Sequence, residues 1–279
     1  MNSLPKISEW LELATDQLQQ AGIATARLDS IVLLEDIVKQ DRSWLLAHPE
    51  HILPSTDLRK LERRLAQRKR HEPLAYIRGK TEFYGREFGI NHKVLEPRPE
   101  SETIIDICKQ LSLPKNTTIV DIGTGSGALA ITVKLELPQT NVIATDFDPS
   151  CLRVASKNAQ KLQAQVRFLL GDLLSPLSSL DIKPTILLCN LPYVPDSFQI
   201  NPAALQEPRV AIFGGRDGLD VYRRLFMQLA ATKLSPTFIL TESLPPQHGV
   251  ITNIAKKCDY ELEKVDDFIQ LFVGHRLQR

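Results

Sequence analysis

The sequence predicts an α/β protein, a mostly parallel sheet of seven strands covered on both faces, with a small N-terminal helical domain joined to it by a β-hairpin. Three observations predict this. From Thr117 onward, short apolar runs alternate with amphipathic segments of helical period, the pattern of strands joined by crossover helices. A glycine-rich turn, Gly123-Thr124-Gly125-Ser126-Gly127, separates the first of these runs from the first of these helices. Residues 1–72, by contrast, show helical periodicity alone. Of the 279 residues, 43% are hydrophobic and 24% charged, with a net charge of +1. That is a globular composition with no global field to attract nucleic acid or an anionic membrane.

The helical part, 1–72, opens with Ile7, Trp10, Leu11, Ala14 and Leu18 on one helix face, Ser8 as its cap and Gly22 as its stop. Ile31, Leu34 and Val38 form a weaker second stripe. After the short Trp44-Leu45-Leu46 piece, Leu58, Leu61 and Leu65 mark a third helix, opened by Ser55-Thr56-Asp57 and closed before Pro73. That helix ends in a basic run, Arg63, Arg64, Arg68, Lys69, Arg70 and His71. A solvated face with cations at the helix C-terminus accounts for the run. A docking surface for an anionic or RNA-bearing partner is the alternative.

Residues 73–100 are expected to be hairpin and linker. Phe83-Tyr84 and Glu87-Phe88-Gly89-Ile90 flank a Gly-X turn at Gly85-Arg86. Pro97-Arg98-Pro99 is a stiff connector that would hold Arg98 and Glu100 near the entrance of the site that follows. Residues 101–279 then form the sheet domain. A helix begins near Ser101, and strands are expected at 118–122, 142–146, 166–170, 185–190 and 237–241. Helices run from the glycine turn to Leu135 and over 149–162, 217–233 and 247–257, and a terminal hairpin covers 260–274.

The four cysteines, Cys108, Cys151, Cys189 and Cys258, are widely spaced and read as unpaired thiols in a reducing, cytosolic setting. The N-terminal residues lead into a polar helix rather than a signal segment, and no apolar run approaches the ~20 residues of a membrane span. The histidines at 48, 51, 71, 92, 248 and 275 have no metal-ligand spacing and are expected at the surface, so no metal is expected.

Two stretches carry chemistry. In the first, Asp121 precedes the glycine turn and Asp146 ends the next strand, placed to receive a ribose diol. From these residues alone, either NAD or S-adenosylmethionine is a candidate ligand. The Asp121 carboxylate suits an amino-acid ammonium better than a pyrophosphate. Asp172 could accept an adenine amino group after the third strand. Both features favour S-adenosylmethionine. The second stretch, Asn190-Leu191-Pro192-Tyr193, follows the apolar run Thr185–Cys189 and stops it, because the prolines cannot continue a ladder. The Asn190 side-chain oxygen and the Leu191 carbonyl could each accept one N–H of a planar NH2 group, with the Tyr193 ring covering its plane.

Together, Asp121–Gly127, Asp146, Gly171-Asp172 and Asn190–Tyr193 resemble the class I S-adenosylmethionine-dependent methyltransferases. Pro73–Gly79, Glu82–Gly85, Pro97–Glu100, Glu207-Pro208, Gly214–Leu219 and Tyr222-Arg223 narrow the resemblance to the peptide chain release factor glutamine N5-methyltransferases. That resemblance implies a class I methyltransferase-like Rossmann sheet in a monomeric, cytoplasmic enzyme. It implies methyl transfer from S-adenosylmethionine to the side-chain amide of the glutamine in a release factor's Gly-Gly-Gln motif. By position it places Asp121, Gly123, Thr124, Gly125, Ser126, Gly127, Asp146, Asp172, Leu173 and Asn190 at the cofactor. It makes Asn190, Pro192 and Tyr193 catalytic and sets Asn190, Leu191, Pro192, Tyr193, Arg98 and Glu100 at the substrate, with 1–72 as the docking part. Leu191 stands where the family usually has Pro, and Leu173 where it usually has Trp. Leu244 and Pro245 replace small residues of a later motif that Glu242 and Gln247 match. Asn-Leu-Pro-Tyr also resembles the motif of rRNA adenine N6-dimethyltransferases. The alternative activities are therefore nucleic-acid adenine N6-methylation, or release-factor binding without catalysis.

Overall fold

A computed structural model describes residues 4–178, 180 and 182–274. Its contacts divide the chain into two units, one of residues up to Gly79 together with 201–206, the other of 80–200 and 207 onward. The first unit is helical: α1 (Ile7–Gln20), α2 (Ala26–Val38), α3 (Arg42–Ala47), α4 (Ser55–Lys69) and α5 (Leu74–Arg78). It thus runs beyond the expected end at 72, because α5 buries Ile77 in the helical core. The α1 stripe is buried as its period requires. The cap differs from expectation: α1 starts at Ile7, and the Glu9 carboxylate accepts from the Lys6 backbone N–H at 2.9 Å. Ser8 lies inside the first turn.

The α2 stripe is weak for a physical reason. Alongside Leu33 and Leu34, this helix buries Asp29 and Asp36, and a buried carboxylate needs a hydrogen-bonding cation. Arg68 reaches Asp29 at 2.7 Å, while Arg78 and Arg64 reach Asp36 at 2.8 and 3.4 Å. Part of the basic run is therefore internal structure, and its exposed members are Arg63, Lys69 and Arg70.

The second unit opens with a hairpin, β1 (Lys80–Phe83) and β2 (Arg86–Gly89). Phe83 pairs with Arg86, so the two-residue turn is Tyr84-Gly85 rather than Gly85-Arg86. Both turn residues have positive φ, 51° and 68°, as a type I′ turn requires. The Glu102 carboxylate holds the Tyr84 N–H at 2.7 Å. After a 3₁₀ turn at Pro99–Ser101 come α6 (Glu102–Gln110), β3 (Thr118–Ile122), α7 (Ala128–Glu136), β4 (Asn141–Asp146), α8 (Pro149–Lys161), β5 (Val166–Leu170) and β6 (Ile186–Cys189). The chain closes with α9 (Arg209–Ile212), α10 (Asp220–Ala231), β7 (Phe238–Glu242), α11 (His248–Lys256), β8 (Tyr260–Asp266) and β9 (Ile269–Gly274).

The sheet order is β5-β4-β3-β6-β7-β9-β8, parallel through β7 and antiparallel in the final hairpin. This is the expected class. Strands buried on both faces need continuous apolar sequence, as Ile186–Cys189 shows, with all four residues buried. Ile186 and Leu188 join one core cluster, Leu187 and Cys189 the other. The four cysteines are free thiols, and burial alone pushes Cys108 up to about 12. No described helix is long and apolar enough to cross a membrane. His275 lies outside the described residues.

The order also fixes where a ligand can bind. The chain steps outward from β3 to β4 and β5, then returns to place β6 on the other side of β3. Such a reversal leaves a crevice at the carboxyl ends of the two strands. The glycine turn leaves β3 there, and the Asn190 turn leaves β6 beside it.

Candidate active site

The crevice holds a cavity of about 510 Å³, within the usual range for a small-molecule site. Gly123, Gly125, Asp146, Phe147, Asp172, Leu173, Asn190, Leu191 and Pro192 are among its lining residues. A second chamber of about 60 Å³ shares Gly123, Gly125 and Asn190 with it and adds Asp121, Thr124, Ser126 and Ser101.

Carboxylates shape the glycine turn. Asp121 Oδ2 accepts from Thr124 Oγ1 at 2.6 Å and from the Ala130 N–H at 3.2 Å, tying the turn to the start of α7. Asp121 is almost fully buried, and burial pushes its carboxyl up to about 6. Asp146 Oδ2 accepts from the Gly125 N–H at 2.9 Å, and its Oδ1 from the Asp148 N–H at 2.9 Å. Burial, ahead of every other cause, raises its pKa too. Gly127 has φ +82°, and a Cβ there would lie 2.9 Å from Ile131 and 3.0 Å from Ala155, so α7 and α8 approach this closely only with glycine.

Asp172 lines the cavity, but its Oδ2 also accepts from Arg224 at 2.5 Å and Gln228 at 3.1 Å, both on α10. Leu173 is buried with φ +51°, an uncommon conformation for a bulky side chain and of the kind that clusters at ligand sites.

The Asn190 turn is held from behind. Tyr222 is fully buried, and its hydroxyl donates between the carbonyl oxygens of Cys189 (2.7 Å) and Glu242 (2.6 Å), joining the ends of β6 and β7. Gln247 Nε2 donates to the carbonyls of Tyr193 (2.7 Å) and Asp217 (2.8 Å). The segment Gly214–Gly218 closes the back: a Cβ on Gly214 would strike the Pro192 carbonyl, and one on Gly218 the Tyr193 carbonyl. Among the described residues, neither the Leu191 carbonyl nor Asn190 Oδ1 receives a hydrogen bond.

Asn190 Nδ2 is engaged, donating to Ser101 Oγ at 2.8 Å. Ser101 Oγ in turn donates to Glu242 Oε2 at 2.6 Å, and the Tyr193 hydroxyl to Glu242 Oε1 at 3.1 Å. Glu242 is fully buried, and burial pushes it up to about 7. Arg98 and Glu100 sit close enough to act on the charges of both Tyr193 and Glu242. Arg98 also pairs with the buried Glu207 at 2.6 Å.

The structure therefore brings Asp121, Gly123, Thr124, Gly125, Ser126, Asp146, Asp172, Leu173 and Asn190–Pro192 to the walls of one crevice. Gly127 packs instead against Ile131 and Ala155, the Tyr193 hydroxyl turns to Glu242, and Arg98 and Glu100 lie near that pair. Sequence reasoning gave no role to Ser101, Glu207 or Glu242. Glu242 did carry a signal, since with Gln247 it matches a later family motif just past the strand expected at 237–241. Ser101 carried none, since it reads as an ordinary helix start.

Residues 9–79 match the family described as PrmC N-terminal domain, and residues 101–207 match Methyltransferase small domain. The release factor glutamine methyltransferase of Staphylococcus aureus is 38% identical over 79% of this chain and 80% of its own length. That of Koribacter versatilis is 34% identical over 80% and 81%. Among solved structures, a methyltransferase from Pyrococcus furiosus superposes with a TM-score of 0.50 at 18% identity, covering 79% of this chain and 98% of that one, a likeness of fold.

Proposed function

This chain belongs to the release factor glutamine methyltransferase family, and we propose that it methylates the side-chain amide nitrogen of the Gly-Gly-Gln glutamine in a peptide chain release factor, with S-adenosylmethionine as donor. The observation that carries the reading is the pair of open acceptors on the Asn190 turn. Asn190 Oδ1 and the Leu191 carbonyl are both available, while the atoms around them are tied down.

The crevice fits that cofactor. Gly125 presents backbone with nothing within 4 Å of where a Cβ would stand, which leaves room for a ligand against the turn. Asp146 ends β4 facing the larger cavity, where a ribose diol would share its acceptor oxygens, and Leu173 adds an apolar wall for an adenine. Asp121 lines the smaller chamber, with Oδ1 left for an ammonium group. When bound, the cofactor supplies an electrophilic methyl group on a sulfonium.

The chain's own residues do the rest. An amide nitrogen is a poor nucleophile because its lone pair is delocalised into the carbonyl. Asn190 Oδ1 and the Leu191 carbonyl each accept one of its N–H groups, which raises electron density on nitrogen and fixes the direction of its lone pair. Tyr193 walls the amide plane and limits access of water. Holding the amide in line supplies much of the rate by proximity. The proton leaves after transfer, once the nitrogen has become strongly acidic, so no strong base is required. Leu191 in place of the usual proline keeps the carbonyl, and its buried side chain anchors the turn. The helical unit is assigned to docking of the release factor, the reaction to the cytoplasm where release factors work, and the active unit to a single chain.

The test incubates the protein with methyl-labelled S-adenosylmethionine and either an intact release factor or one whose Gly-Gly-Gln glutamine is replaced, with bulk RNA and DNA in parallel. Label on the intact factor alone is expected. Label on nucleic acid, or on the substituted factor, refutes the reading.

A further inference from the structure

An asparagine side chain is nearly symmetric in shape but not in chemistry. Turned one way it offers an acceptor, turned the other a pair of donors. A slot that receives N–H groups needs the acceptor. The structure holds Asn190 in a directed chain of hydrogen bonds: Asn190 Nδ2 to Ser101 Oγ at 2.8 Å, then Ser101 Oγ to Glu242 Oε2 at 2.6 Å. Ser101 has one proton to give. A carboxylate only accepts, so that proton goes to Glu242, and Ser101 has only lone pairs left for Asn190. The NH2 end of Asn190 is then the end that can meet it. Ser101 and Glu242 have no exposed surface, so water does not substitute for either partner.

We propose that Glu242, acting through Ser101, is a positioning residue that locks the Asn190 amide with its oxygen toward the substrate glutamine. This rests on the reading of Asn190 as an acceptor for that amide. Protonation of Glu242 releases the lock. A carboxylic acid can donate to Ser101, whose own proton then turns toward Asn190 and pairs with its oxygen. The NH2 group then faces the slot and repels the substrate N–H.

The groups facing Glu242 set where this happens. Burial, and the negative charge of Glu100, raise its pKa; the hydroxyls of Ser101 and Tyr193 and the charge of Arg98 lower it. Tyr222 hydrogen-bonds to its backbone, and the Glu242 carboxylate also acts on the Tyr222 hydroxyl through charge. The balance stands at about 7. Turnover is therefore expected to fall as pH drops through about 7, with both substrates saturating so that the limb reports the bound complex.

The test measures kcat and KM on both sides of that pH for the wild type, Glu242→Gln, Ser101→Ala and Asn190→Ala. Folding is checked by thermal unfolding and cofactor affinity by calorimetry. Ser101→Ala is expected to lose on the order of tenfold in kcat, the worth of one buried hydrogen bond, with a rise in KM for the release factor as the freed amide meets its N–H, and cofactor affinity unchanged. The acid limb is expected to disappear in both Ser101→Ala and Glu242→Gln. An inactive Asn190→Ala beside a Ser101→Ala that keeps wild-type kcat and its acid limb overturns the relay and leaves the slot standing. An active Asn190→Ala overturns the slot reading, and the relay with it. If Glu242→Gln does not fold, Ser101→Ala, which removes a single oxygen, decides alone.

Discussion

At Asp121, stability and function pull in opposite directions. The carboxylate is buried, two donors use one of its oxygens, and burial outweighs them, moving its pKa from 3.8 to about 6. An acid with a raised folded pKa stabilises the fold below its unfolded value and loses that contribution as pH rises through the folded one. Keeping Asp121 ionised at neutral pH thus costs up to about 3 kcal/mol. Asp121→Asn retains an oxygen for Thr124 and Ala130 and removes the charge. Denaturant unfolding at about pH 4 and about pH 8 is expected to show the variant gaining stability over wild type only at the higher pH. On the proposed placement of the cofactor, its affinity for S-adenosylmethionine is expected to fall, because an amide nitrogen would replace the oxygen assigned to the ammonium. Equal stability at the higher pH would mean that the carboxylate is not a burden.

At the scale of elements, the Asn190 turn depends on glycines of the segment packed behind it. Gly218 has φ +82°, and a Cβ there would run into the Tyr193 carbonyl and the Gln247 amide. Gly218→Ala therefore adds a clash with the turn to the cost of a left-handed alanine, which is about 1–2 kcal/mol. The clash pushes Tyr193 off its hydrogen bond to Gln247, so kcat is expected to drop by about tenfold or more, the scale of misplacing a positioned group. Gly85 makes a control. Its φ is +68°, and nothing lies within 4 Å of its would-be Cβ. Gly85→Ala is expected to lose only about 1–2 kcal/mol of stability, with normal turnover. A Gly218→Ala variant that behaves like the Gly85 control in both unfolding and kinetics would show that the backing segment does not fix the turn.

Across the whole molecule, legibility followed sequence distance. The strands Thr118–Ile122 and Ile186–Cys189 were readable because a buried parallel strand is an apolar run bounded by turn residues. The crevice was readable because Gly123 and Asn190 each end such a run. The relay was not: Asn190 and Ser101 are 89 positions apart, Ser101 and Glu242 141, and nothing around Ser101 announces that it would meet Glu242 where β7 ends beside β6. The basic run shows the same limit. Its periodicity resembles a solvated face, yet Arg68 lies against Asp29 while Arg63 is exposed. The carboxylate of Asp29 is 5% exposed, so removing its cation leaves a buried charge without a guanidinium partner. Arg68→Ala is therefore expected to cost about 3 kcal/mol in unfolding free energy. Arg63→Ala is expected to stay within about 0.5 kcal/mol of wild type, as surface substitutions do. Any contribution of the run to an acidic partner belongs to exposed cations such as Arg63. It is expected as a salt-dependent rise in KM for the release factor in Arg63→Glu, with the unfolding midpoint unchanged. Equal destabilisation by Arg63→Ala and Arg68→Ala would refute the division of this run into internal and surface cations.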